Sequence, residues 1–328
     1  MTYNNTHPGV ASYHEQLVRQ FHEACLKDTL TPLAYHAFQA FYGLIKTSKH
    51  ETRQGFFDDL VVLARLLWLD SERLVVRSAG EVFQAYVSRI MQLLDSQPIN
   101  EIRDRILGNE ASVLERLQSA RERIATAATP YITDGCTIGI FGNSASVFEV
   151  IKAAARKRRD LRVIVIVSFA SLAIRDTLFQ EAQNLTKLDV QVTIMAEGAL
   201  ISRIHLISFF LVGAEMVSKG GGIINAIGTK NIAHLSHLYR KPFYVAAEMA
   251  KFSNIFILTD RDIPYTEARV RYRLPQESVL ALERQGVTFD DALYDLTEPE
   301  YVSLIFTDEG VHAPASITNM MISSFYFS

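Results

Sequence analysis

The residues best placed for chemistry lie between 211 and 258, in LVGAEMVSKGGGIINAIGTKNIAHLSHLYRKPFYVAAEMAKFSNIFIL, where a strand, a glycine loop, a helix and a second strand follow one another. Gly220, Gly221 and Gly222 let the backbone turn through positive φ, and Gly228 with Thr229 opens a helix whose free N–H groups can hold an anion. The chemistry this allows is phosphate or nucleotide binding, because consecutive N–H groups and a helix N-terminus stabilise negative charge. The same glycines also serve a plain tight turn, and the residues alone leave both readings open.

Other constellations fall short of a catalytic set. A dinucleotide site needs G-x-G-x-x-G after the first strand and an acid ending the second; Gly139 and Gly142 miss that spacing, and the second strand ends in Val167-Ser168-Phe169. Gly142-Asn143-Ser144-Ala145-Ser146 sits where a nucleophile elbow would, but lacks its second glycine, so Ser144 reads as a helix N-cap. Nothing in the sequence selects His312 as the base of a hydrolase. His234 and His237 share a helix face without a third metal ligand nearby, and Arg156-Lys157-Arg158-Arg159 ends a helix, complementing its dipole or facing a partner's acidic surface. No cofactor, metal or catalytic residue is therefore expected.

These loops need a scaffold. Apolar residues recur at three and four from Ser12 to about Thr129, including Leu17, Phe21, Phe38, Phe41, Leu60, Leu63, Leu67, Phe83, Tyr86 and Ile90, which predicts a helical domain over 1–129. Pro130 introduces strand periodicity, and 130–328 reads as a Rossmann-like α/β domain with a mostly parallel sheet. Its strands are expected at Thr137 to Phe141, Leu161 to Val167, Val190 to Met195, Leu206 to Val212, Phe243 to Ala247, Ile255 to Leu258 and Val302 to Phe306, with an irregular excursion from Arg261 to Glu300.

The formal charge of the 328 residues is −3, which gives no global attraction for nucleic acid or an anionic membrane. No apolar stretch approaches the roughly 20 residues of a membrane span. The start MTYNNTHPGVASYHE has no signal-peptide pattern, and Cys25 and Cys136 match no disulfide or metal spacing, so a cytoplasmic setting is expected.

Segments LVGAE, GGIIN, IGT and KPFYVAAE, followed by KF and by Asp262-Ile263-Pro264, resemble the family formed by the regulatory (alpha, beta and delta) subunits of initiation factor 2B and by the sugar-phosphate isomerases acting on methylthioribose 1-phosphate and ribose 1,5-bisphosphate. The resemblance runs from about Asp134 to the end and is traceable through the N-terminal helices; Tyr301 to Ile317 most resembles the alpha branch. It implies a non-catalytic regulatory subunit of the guanine-nucleotide exchange factor for initiation factor 2. Such a subunit pairs as an isologous homodimer, joins beta, delta, gamma and epsilon subunits, and senses the phosphorylated alpha subunit of initiation factor 2.

The resemblance also assigns residues. Arg77-Ser78-Ala79-Gly80-Glu81 matches an S-x-G-E motif near the family's ligand cleft. Arg77, Ser78, Gly80, Asn143, Gly221, Gly222, Asn225, Gly228, Thr229 and Lys251 would thus form a pocket for a nucleotide or sugar phosphate. Gly220 and Ala226 stand where the family commonly has Asn and Lys. The polar turn Lys46 to Gln54 can be capped by Thr47 or Ser48 with Glu51; by resemblance, Lys46, Lys49, His50, Glu51, Thr52 and Arg53 would face the phosphorylated partner. The isomerase cysteine falls on Gly142 and its aspartate on Glu215, Cys136 comes six residues too early, and Ser168 to Ser171 replaces a substrate segment. The alternative is an isomerase with an altered active site. The loop after Lys251 and the stretch Val302 to Phe327 are the expected homodimer interface.

Overall fold

The computed structural model describes residues 11–168, 175–264, 276–289 and 292–323. The expected substrate-segment replacement beyond Ser168 and the last residues of the expected interface lie outside them.

Six helices come first: α1 (Ser12–Lys27), α2 (Leu33–Thr47), α3 (Arg53–Ser71), α4 (Leu74–Leu93), α5 (Ile99–Gly108) and α6 (Glu110–Ala128). Pro32 and Pro98 stand just ahead of α2 and α5, where a missing N–H costs nothing. The apolar stripes meet in one core in which Phe83 stacks on Phe41 at 4.9 Å and meets Phe38 edge-on at 5.0 Å. Gly80 belongs to this packing, since a Cβ there would lie 3.0 Å from that of Ala64 on α3.

The second half contains β1 (Thr137–Phe141), α7 (Ala145–Ala155), β2 (Arg162–Val167), α8 (Arg175–Thr186), β3 (Gln191–Ala196), α9 (Leu200–Arg203), β4 (Phe209–Gly213), β5 (Met216–Val217), β6 (Ile223–Ala226), α10 (Thr229–Leu238), β7 (Phe243–Ala246), α11 (Gln276–Arg284), β8 (Tyr294–Thr297), β9 (Leu304–Thr307), β10 (Gly310–His312) and α12 (Ile317–Ser323). The main sheet runs β10-β9-β7-β4-β1-β2-β3, parallel except for β10. Successive side chains feed opposite cores: Val163 and Val165 join α6 and α7 on one face, Ile164 and Ile166 join α10 and α12 on the other. α6 contributes Val113 and Leu117 to the helical core and Ile124 and Ala128 to the sheet core, so the halves share a helix.

Three expectations need correction. Ile255 to Leu258 is not a strand: it crosses the surface with Phe256 59% and Leu258 78% exposed. The excursion holds β8, which completes an antiparallel sheet β5-β6-β8. Val302, Ile305 and Phe306 are buried, with β9 paired between β7 and β10, so this part of the expected interface is core.

Candidate functional site

β1 and β4 are neighbours from which the chain winds outward in opposite directions, and ligands of such sheets seat beyond the carboxyl ends of that pair. Here those ends supply Gly142, Asn143 and Ser144 from β1 and Ala214 and Glu215 from β4. Gly142 holds φ at 80°, and a Cβ built on it would meet nothing within 4 Å. Ser144 caps α7, its hydroxyl accepting from the Val147 N–H at 3.4 Å, and packs so tightly on Gly213 that a Cβ there would lie 2.4 Å from Oγ.

Arg73, just ahead of α4, reaches across from the helical half to Glu215, with Nη2 donating to Oε1 at 2.8 Å and Nε to Oε2 at 3.3 Å. Burial alone would raise the Glu215 carboxyl, but the charges of Arg73 and Lys251 outweigh it and hold it below the usual range. The acid is thus held as an ion-pair partner of Arg73. Nearly half of the Arg73 side chain is exposed. A double-mutant cycle with R73A and E215A, read by urea unfolding, should therefore give a coupling of about 1 kcal/mol; additive single effects would remove this contact as a link between the halves.

Lys251 is also engaged. Its Nζ lies 2.8 Å from Glu248, which receives Arg121 Nε at 3.2 Å and the Ser146 hydroxyl at 2.7 Å. Glu248 is 4% exposed; burial would raise its carboxyl, yet Lys251 and Arg121 bring it down to about 2. Arg77 lies 4.7 Å over the Trp68 ring and pairs with Glu81 at 3.2 Å. Glu81 in turn accepts from the Ser253 hydroxyl and, at 3.1 Å, the Asn254 N–H. Ser78 is fully buried with its hydroxyl unpartnered among the described residues. Asn143 follows β1 and Lys251 acts on Glu215 after β4, Arg77 is engaged by Trp68 and Glu81, and Ser78 and Gly80 are packed into α4.

Gly228 and Thr229 open α10 as expected, and the glycine loop lies ahead of them. Gly220 to Gly222 closes the β5–β6 hairpin, with Gly221 N–H donating to Ser218 at 2.9 Å and Ser218 N–H to Gly222 at 2.8 Å. Gly221 takes φ 84°, and a Cβ on it would sit 2.3 Å from the Pro314 carbonyl oxygen. Thr229 Oγ1 donates to Ala226 at 2.6 Å and accepts from Asn225 at 3.1 Å. The start of α10 holds the chain's own carboxylate: Asp295 Oδ2 accepts from the Gly228 N–H at 2.7 Å and the Lys230 N–H at 3.1 Å. Burial pushes Asp295 up to about 6 despite these bonds. The anion expected at Gly228 and Thr229 is met from within, by a residue whose distance in sequence hid it.

The turn before α3 is similarly occupied. Thr52, rather than Thr47 or Ser48, caps α3 by accepting from the Gly55 N–H at 3.2 Å. Arg53 donates to the carbonyls of Leu94 and Gln97 at 2.7 Å each, closing the end of α4. Lys46 pairs with Glu110 at 2.7 Å and His50 with Asp59 at 3.1 Å. Asp59 is buried and also accepts from Tyr13 at 2.6 Å and Ser48 at 3.1 Å, a hub that no local pattern revealed. Lys49 and Glu51 stay exposed, with no bond or ion pair among the described residues.

Among the described residues, those that follow β1 and β4 include no thiol. Cys136 lies buried just ahead of β1, at the opposite edge, and burial raises its thiol. His234 packs on the Tyr301 ring at 4.2 Å, and among the described residues no three His, Cys, Asp or Glu side chains gather as a metal site. No described helix is long and apolar enough to cross a membrane.

The sequence profile of the "Initiation factor 2 subunit family" matches residues 28–314. Translation initiation factor eIF2B subunit alpha of Caenorhabditis elegans is 28% identical over 313 residues, 95% of this chain and 99% of that one. The alpha subunit of Dictyostelium discoideum is 24% identical over 319 residues, 96% and 98% of the two chains. Among solved structures, the tetrameric eIF2B-beta2-delta2 complex from C. thermophilum superposes with a TM-score of 0.71 at 17% identity, covering 95% of this chain and 94% of that chain; it shows the fold.

Proposed function

This chain belongs to the initiation factor 2 subunit family, and on that footing we propose that it is a regulatory, non-catalytic subunit of a translation initiation factor of the 2B type. It would pair with itself and with the other subunits of that factor, and its N-terminal helices would receive the phosphorylated alpha subunit of initiation factor 2. The observation that carries the reading is the crevice itself. The position given to the isomerase thiol is Gly142, with no side chain, and the position given to its acid is Glu215, held by Arg73. Gly142 cannot serve as the donor of general acid–base catalysis. The end-to-end likeness to two alpha subunits supports the rest.

The contacts between the halves suggest how a signal would travel. Arg73–Glu215, Glu81 with Ser253 and Asn254, and Arg121–Glu248 join α4 and α6 to the loops after β4 and β7. A partner on the helices would bias the assembly through these bonds if it prefers one of two arrangements. Of the cations expected to greet a phosphorylated partner, Lys46, His50 and Arg53 are already engaged, leaving Lys49.

The test is a tagged chain purified from the cells that encode it and weighed by native mass spectrometry, with the same material assayed on ribose 1,5-bisphosphate. The expected result is a two-fold assembly containing four other subunits and no turnover. A lone homodimer that isomerises the sugar phosphate would overturn the proposal.

A further inference from the structure

We propose that the basic turn between α7 and β2 is a docking surface for an acidic polypeptide segment. Arg156, Lys157, Arg158, Arg159 and Arg162 stand within seven residues of a chain whose net charge is −3. Arg156, Lys157, Arg159 and Arg162 are exposed, and Arg158 is half-buried. Arg159 and Arg162 are both tied to Gly135, whose N–H donates to the Arg159 carbonyl at 2.9 Å and whose carbonyl accepts from Arg162 Nη2 at 2.8 Å.

The turn is held by backbone bonds, and of the five cations Arg162 adds a side-chain bond to them. The Arg159 N–H donates to Asp134 Oδ1 at 3.0 Å, the Gly135 N–H to the Arg159 carbonyl at 2.9 Å, and the Arg158 N–H to Ala154 at 2.8 Å. Among the described residues, none of the five side chains forms an ion pair. On helix α8, Glu181 is taken by Lys152 at 2.9 Å.

The end of one helix does not account for this concentration. Its dipole offers about half a negative charge, and the turn adds two carboxylates, Asp134 and Asp160, against five cations. The surplus repels itself, so the free chain bears a cost that a carboxylate-bearing partner relieves. Four of the five are arginines, whose planar fork pairs bidentately with carboxylates, and a rigid turn loses little freedom on binding. A nucleic acid strand fits less well: Phe141 and Phe148, the aromatics between 134 and 162, are buried and offer no stacking platform.

The experiment titrates the full chain into a fluorescein-labelled deca-glutamate peptide at about 50 mM salt and reads anisotropy. Compared are R156E/K157E/R159E, the milder R156Q/K157Q/R159Q, and R203E/R240E, which reverses exposed charges elsewhere. Binding by the unaltered chain is expected to weaken about tenfold or more in the first variant and partly in the second, and to persist in the third. Circular dichroism confirms folding, and the glutamine variant keeps the test decisive if the charge reversal unfolds the chain. No binding to the unaltered chain, or equal loss in R203E/R240E, overturns the proposal. So does tighter, patch-dependent binding of a labelled oligouridylate, which would make the surface one for nucleic acid.

Discussion

Glu248→Gln should lower folding stability by about 3 kcal/mol at pH 7, because it leaves Lys251 and Arg121 facing each other over a buried, neutral amide. The size follows from linkage. The carboxyl titrates at about 2 in the folded chain and ordinarily near 4.5, a difference of about 2.5 units, each worth about 1.4 kcal/mol. A folded-state value below the unfolded one means the stabilisation is fully present above 4.5 and is lost as pH falls from there toward 2. The unaltered chain should therefore lose stability steeply over that window, while E248Q loses less and the two curves converge in acid. Urea unfolding of both proteins at pH 7, 5 and 3 measures this; a constant gap at all three would show that Glu248 contributes through packing and not through charge.

Gly221→Ala should cost about 3 kcal/mol, whereas Gly220→Ala should change stability by no more than about 0.5 kcal/mol. The two neighbours differ in backbone angle and in what a Cβ would meet. Gly221 holds φ at 84° with the Pro314 backbone where a Cβ would go, at 2.3 Å from the oxygen and 2.9 Å from the carbon. That neighbour is main chain, so relief requires moving the short turn Pro314–Ser316 that leads into α12. A Cβ on Gly220 meets only the Phe256 ring, at an ordinary 3.8 Å. Thermal and urea unfolding of the two variants separate the readings of this loop. Equal, small effects would mean that the hairpin is not pinned by the C-terminal turn, and would restore the glycines as candidates for a ligand's approach.

Much of the scaffold was legible because burial on both faces imposes a pattern that needs no partner to be seen. The runs at β1, β2, β3, β7 and β9 are strands within a few residues of where their β-branched and aromatic content put them, and the helical stripe up to Thr129 gave six helices. The short antiparallel sheet was not legible. β5 is two residues long, and β8, Tyr294–Thr297, carries an aspartate among polar text, so neither has a periodicity to read. Ile255 to Leu258 has the composition of a strand, but its contact with the β5 edge ends where the Lys219 N–H meets the Ile255 carbonyl at 3.0 Å.

The sequence by itself determined the fold class, the family and the lack of a thiol at Gly142, since each depends on residue types in local order. Tertiary structure decided what the polar residues do. Whether a helix N-terminus or an arginine is free to meet a ligand depends on which distant carboxylate or carbonyl arrives first. Here Asp295 reaches Gly228, Glu215 reaches Arg73, and the end of α4 reaches Arg53. Those bonds close over tens of residues of chain, because a charge or N–H shielded from water must find its partner within the fold, wherever in the sequence that partner lies.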